Sequence, residues 1–256
     1  MLDDNPLESI ISGKSTKPPR ILIYGVEKIG KTTWAASADN PIIIPTEDGQ
    51  GQINCKRLPL AKTYELVLDY IGALIEREHD YKTLIIDSAD WLEKLIWQRT
   101  CADSNVKSIE LAAGGYGKGY GAALIYWSEI LEALDAANTL RNMQIILIAH
   151  SQVERYEDPE SPAYDRYSPK LHKKTSGPLV TEWCDAVLFA TRKMRVAVEK
   201  GAFNKERATA APIGKSGGER IIRCVGSPAC VAGNRYDLPD ELPLVYEEFA
   251  KAMATV

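Results

Sequence analysis

The sequence predicts an α/β protein, with a mostly parallel sheet covered by helices on both faces and an antiparallel extension near the C-terminus. Two observations carry this prediction. Apolar runs at RILIYG (20–25), NPIIIPT (40–46), YKTLIIDS (81–88) and MQIILIAHS (143–151) are nearly continuous, as strands buried on both faces require. Between them lie longer segments whose apolar residues recur at helical spacing.

Residues 1–19 are polar, carry Pro6, Pro18 and Pro19, and show no sustained periodicity, so they read as an N-terminal arm. Residues 20–256 read as one domain. Within it RILIYG is a buried strand, KTTWAASA (31–38) a helix and NPIIIPT a second strand. A helix at about 63–78 precedes the strand YKTLIIDS and the helix ADWLEKLIWQR (89–99). GGYGKGYG (114–121) reads as a glycine-rich loop, followed by an amphipathic helix at about 122–138 and the strand MQIILIAHS. Residues 151–178 form a long polar segment interrupted by prolines. DAVLFATRKMRVAVEK (185–200) and ERIIRCV (219–225) then read as antiparallel strands extending the same sheet, and LPLVYEEFAKAM (242–253) as a final short helix.

A chain of 256 residues with 45% hydrophobic and 26% charged residues has the composition of a globular protein with a sizeable core. No apolar stretch approaches the ~20 residues that span a bilayer, and MLDDNPLESI lacks the basic and apolar regions of a signal peptide. A cytoplasmic protein without membrane partners is expected. Five scattered cysteines with no CxxC pair favour reduced, mostly buried thiols. A net charge of −4 means that any nucleic-acid contact must come from a local basic patch.

Directly after the first strand, GVEKIGKTT satisfies GxxxxGK[ST] between a strand and a helix, the context a phosphate-binding loop needs. Gly25 and Gly30 let the backbone turn tightly, so that amides across Val26, Glu27, Lys28 and Ile29 can face phosphate oxygens. The helix start adds its positive dipole end, with Lys31, Thr32 and Thr33. Lys31 would reach the β- and γ-phosphates, and the Thr32 hydroxyl would hold Mg²⁺. ATP and Mg²⁺ are therefore the expected cofactors. A guanine nucleotide is disfavoured, because NKER (204–207) lacks the aspartate of a guanine-reading NKxD.

Asp87 ends TLIID, where a sheet delivers a side chain to the crevice at the carboxyl ends of its strands. It reads as the second metal-associated residue, although an aspartate there can also cap the next helix. Many phosphate-loop hydrolases follow this aspartate with a water-activating glutamate, and here the next residue is Ser88. Glu47, leaving IIIPTEDG on a strand expected beside the phosphate-loop strand, is the candidate base. Asp48, Gly49 and Gly51 read as turn formers.

GVEKIGKTT, with Glu27 and its double threonine, resembles the phosphate loop of the RecA recombinase family. IIIPTEDG resembles the strand bearing that family's catalytic glutamate, and LIIDS its aspartate–serine metal motif. The order of motifs, including GGYGKGYG, IILIAH and NRYDLP, is similar to the short RecA-like ATPases of bacteriophages, a group that includes recombination and single-strand annealing proteins. The resemblance covers about residues 18–240 and implies a RecA-like core. It places His150, where RecA has glutamine, at the position that senses the γ-phosphate. It places Arg235 near the segment that reaches a neighbouring subunit's ATP site, and it would make the N-terminal arm a subunit-linking segment.

Two loops are candidates for single-stranded DNA. Tyr116, Lys118 and Tyr120 offer aromatic faces and a charge, and Lys170, His172, Lys173 and Lys174 form a basic cluster, with RKMR (192–195) adding charge. Glycine–tyrosine turns also serve as lids and lysine clusters as solvated faces, and it is the resemblance that favours DNA. The expectation is an Mg²⁺-dependent ATPase of the bacterial host cytoplasm, assembling as a ring or filament on single-stranded DNA. It would support phage recombination or annealing, alongside other phage replication or recombination proteins. A phosphate-loop kinase, or a nucleotide-gated adaptor without DNA binding, remains the alternative.

Overall fold

The computed structural model describes residues 17–49, 51–200, 206–213 and 218–255, together with Leu7, Ile10, Ser12 and Gly13; over 195–200 and 206–212 it describes the backbone alone. Most of the expected arm, and Asn204 and Lys205 of NKER, therefore lie outside the described residues.

The strands of the central sheet are β1 (Arg20–Gly25), β2 (Pro41–Pro45), β3 (Lys56–Arg57), β4 (Thr83–Asp87), β5 (Gln144–Tyr156), β6 (Tyr164–Pro169) and β7 (Ala186–Arg192). A separate hairpin comprises β8 (Met194–Lys200) and β9 (Glu206–Pro212), and β10 (Arg220–Arg223), β11 (Gly233–Asn234) and β12 (Glu241–Pro243) rejoin the main sheet. The sheet order is β12–β10–β7–β1–β5–β4–β2–β3. Neighbours from β7 through β3 are parallel, and β10 and β12 are antiparallel. The expected α/β class with an antiparallel C-terminal extension is what the chain adopts.

The helices are α1 (Lys31–Ala36), α2 (Tyr64–Glu76), α3 (Ala89–Asp103), α4 (Lys118–Ala122), α5 (Leu124–Leu140), α6 (Ser176–Trp183) and α7 (Tyr246–Ala254). Thr63 caps α2 by accepting the Leu66 amide at 3.2 Å. Because side chains alternate along each strand, the nearly continuous apolar runs feed two cores. Leu22, Tyr24, Leu84, Ile86 and Leu147 pack with Val67, Ile71, Leu92, Ile96 and Trp127 of α2, α3 and α5. Ile21, Ile23, Ile85, Ile146 and Ile148 pack on the other face with Trp34 of α1 and Phe249 of α7, whose rings meet edge-on at 5.2 Å. Each such fully buried side chain contributes about 1.5–3 kcal/mol over exposure.

Four expectations are corrected. β2 does not adjoin β1, since β5 and β4 lie between them. Helical crossovers allow a later strand to insert next to an earlier one, which apolar runs alone do not reveal. β7 runs parallel to β1, not antiparallel, and β8 leaves the sheet to pair with β9. The polar segment after residue 151 is not wholly loop: β5 continues to Tyr156 and turns into β6, stabilised by the cross-strand pair Glu154–Arg166 at 2.9 Å. Lastly, the second half of GGYGKGYG is helical, and glycine is needed there because a Cβ on Gly119 would fall 1.9 Å from the Ile109 carbonyl oxygen.

Candidate nucleotide-binding site

The end of β1 requires glycine, since a Cβ on Gly25 would lie 2.1 Å from the backbone oxygen of Ala190 in β7. The loop then turns through Lys28 (φ 57°) and Gly30 (φ 111°), and Gly30 caps α1. Ile29 is buried in the second core and anchors the loop from below, while Glu27 and Thr33 are exposed. Lys31 folds back over the loop and donates to the carbonyls of Gly25 (2.9 Å) and Val26 (3.0 Å). Burial lowers its pKa, opposed by Asp87, Asp90, Glu47 and Glu27. Arg220 of β10, which the sequence did not single out, donates to the Ile29 carbonyl at 3.2 Å.

Thr32 Oγ1 donates to Asp87 Oδ2 at 2.9 Å, so the first turn of α1 meets the end of β4. Asp87 does not cap α3, whose N-cap is Ser88. Among the described residues no three His, Cys, Asp or Glu side chains cluster as a metal cage. One hydroxyl and one carboxylate instead suit Mg²⁺, which retains waters and takes its other ligands from phosphate.

Glu47 reaches this place although β2 lies three strands from β1. The amides of Thr46 (2.8 Å) and Glu47 (3.4 Å) both donate to the Asp87 carbonyl, and Thr46 Oγ1 joins Ser88 through both its amide and carbonyl. This clasp ties the exit of β2 to the end of β4. Glu47 is half-buried and Asp48 exposed, so the bend presents one of the two acids to the cleft. Burial raises the Glu47 pKa, offset by His150 and reinforced by Asp87. Lys28, Gly30, Lys31, Thr32, Thr33, Glu47, Asp87 and His150 thus line one cleft of about 240 Å³.

His150 lies opposite Gly25 in the β1–β5 register. Its amide donates to Asp90 Oδ1 at 3.0 Å, and Nδ1 lies 3.1 and 3.0 Å from the two Asp90 oxygens. Hydrogen bonding to Asp90 raises the His150 pKa. Burial alone would raise that of Asp90, but the bonds from His150 outweigh it and hold it low. The same helix face carries Glu93 one turn later, which accepts the His172 amide (3.1 Å) and the Ser176 hydroxyl. Burial pushes the Glu93 pKa up to about 7. Asp90 and Glu93 escaped the sequence reading because acidic residues early in a helix ordinarily serve its dipole.

Arg235 is not brought to this cleft. It donates to Asp185 Oδ1 (2.9 Å) and the Glu182 carbonyl (3.1 Å), at the end of the sheet where β7 begins, opposite the phosphate loop. Of the two tyrosines expected to stack on bases, Tyr116 is fully exposed. Tyr120 already stacks on His172, with centroids 4.0 Å apart and planes at 10°, and meets Trp97 edge-on. Lys118, Lys170, Lys173 and Lys174 are exposed, and Lys173 donates to the Arg155 carbonyl. The Lys170 amide donates to the His150 carbonyl at 2.8 Å, joining the basic segment to the cleft strand.

The family described as "AAA domain" matches residues 17–236. The SPbeta prophage-derived uncharacterized protein YorG of Bacillus subtilis (strain 168) is 25% identical over 189 residues, covering 72% of this chain. The chain spans about half (54%) of that relative's length. A crystal structure of the RadB recombinase shares 17% identity over 80% of this chain and 90% of its own, with a TM-score of 0.42.

Proposed function

The chain belongs to the AAA domain family, and we propose that it is an Mg²⁺-dependent ATPase of RecA-like type, whose turnover is coupled to single-stranded DNA. The observation that carries the catalytic part is the hydrogen bond from Thr32 to Asp87 in a cleft that Lys31, Glu47 and His150 share. The P-loop amides and Lys31 bind and orient the phosphates of ATP. Thr32 and Asp87 would hold Mg²⁺, which would supply charge neutralisation at the phosphate oxygens. Glu47 orients a water and takes its proton as that water attacks the γ-phosphate. His150 faces the same phosphate as its sensor.

The DNA part is supported by exposed Tyr116, Lys118, Lys170, Lys173 and Lys174, and by the bond between Lys170 and the His150 carbonyl. Similarity to a prophage-derived protein supports a phage setting, and a role in phage recombination or annealing is our reading of it. Arg235, outside its own cleft, would act in a neighbouring subunit's, which calls for a ring or filament. Turnover measured with and without single-stranded DNA, across a protein concentration series, tests all of this. The expected result is stimulation by DNA and cooperativity in protein. Turnover indifferent to DNA but dependent on a small phosphate acceptor would instead identify a kinase.

A further inference from the structure

We infer that Asp90 is the positioning residue for His150, fixing its ring through Nδ1 so that Nε2 turns into the nucleotide cleft. This rests on the reading that the cleft binds ATP and that His150 faces its terminal phosphate.

The geometry is specific. Asp90 sits on the first turn of α3 and is only 4% exposed, so it has little access to water. A buried carboxylate needs partners, and both of its oxygens lie within 3.1 Å of His150 Nδ1 while Oδ1 also accepts the His150 amide. The amide bond fixes where the strand ends, and the two ring contacts fix χ2. With Nδ1 engaged, Nε2 is the nitrogen left to face the cleft that His150 lines.

The arrangement also chooses the charge. The hydrogen bond to Asp90 favours the imidazolium, aided by the charges of Asp90 and Glu47, while burial and Lys31 oppose it. Asp90 is in turn faced by His150 and Ser88, and Glu93 lies one turn along the helix. A glutamine at position 150 would offer a neutral amide to phosphate. Histidine held by a buried carboxylate offers a full positive charge on a fixed ring, which helps most when negative charge builds on the phosphate. Asp90 touches no substrate in this scheme and acts entirely through His150.

The test has a readout independent of ATP turnover. In ¹⁵N-histidine-labelled wild-type protein, the His150 imidazole should titrate above the ordinary histidine range, with its Nδ1–H signal in the hydrogen-bonded position. Asp90→Asn, which keeps size and hydrogen bonding but removes the charge, should move that titration to lower pH. It should also lower turnover by about 10- to 100-fold and bring the alkaline limb of the pH–rate profile down with it. In a His150→Gln background, adding Asp90→Asn should change turnover no further. A wild-type His150 titrating at or below the ordinary range overturns the inference even if Asp90→Asn does not fold, and so does an unshifted titration in a folded Asp90→Asn protein. If His150 titrates as expected while the wild type turns over no ATP, the pairing stands and the ATPase reading falls.

Discussion

The Thr32 hydroxyl donates to Asp87 across 2.9 Å, joining the helix after β1 to the end of a strand two places away in the sheet. A hydroxyl and a carboxylate held this close would together hold a divalent cation. Asp87→Asn should lower turnover by about 100-fold and raise the Mg²⁺ concentration needed for half-maximal rate. Steady-state ATPase assays over a magnesium series check this, and an unchanged magnesium dependence would remove Asp87 from the metal site.

Glu47 is tied to the same strand end through Thr46 and the Asp87 carbonyl. Glu47→Gln should leave ATP binding intact and lower hydrolysis by at least ~100-fold. Its raised pKa adds a sign: the carboxylate must be ionised to take a proton, so turnover should fall on acidification at a pH above the ordinary carboxylate range. Fluorescent-nucleotide binding and phosphate release across pH measure both effects. A Gln variant with wild-type hydrolysis would return Glu47 to the role of a turn residue.

Glu93 makes a prediction about stability. Its pKa rises from 4.5 to about 7 through burial, so the folded protein holds this proton more tightly than the unfolded chain. The contribution is fully present below pH 4.5 and is lost as pH rises through about 7. Its size is on the order of 3 kcal/mol. Glu93→Gln can still accept the His172 and Ser176 bonds, so urea denaturation between pH 5 and 8 should show a flatter profile than wild type. Parallel profiles would mean that Glu93 is ionised throughout.

Neutralising Lys118, Lys173 and Lys174 together should weaken single-stranded DNA binding and flatten the slope of log affinity against log salt by about 2. Fluorescence anisotropy with a labelled oligonucleotide reads both quantities. If the slope holds while ATP turnover persists, DNA binds on another face. Tyr116→Ala should reduce affinity with little effect on the slope, because stacking releases no counterions.

Local chemistry was legible in the sequence. Gly25, Gly30, Lys31 and Thr32 declare a phosphate loop because only that spacing between a strand and a helix wraps backbone amides around an anion. Continuous apolar runs declared buried parallel strands, and TLIID placed a carboxylate at a strand end. Short-range pattern was thus enough for the fold class and the residues of the loop. What those residues face depended on how distant elements pack. Strand order set β5 and β4 between β1 and β2, and the Thr46 clasp, not adjacency, carries Glu47 to the cleft. Packing against His172 closed one face of Tyr120, and α3 paired Asp90 with His150, 60 residues apart. Such partnerships depend on contacts between elements distant along the chain, and short-range periodicity holds no record of them.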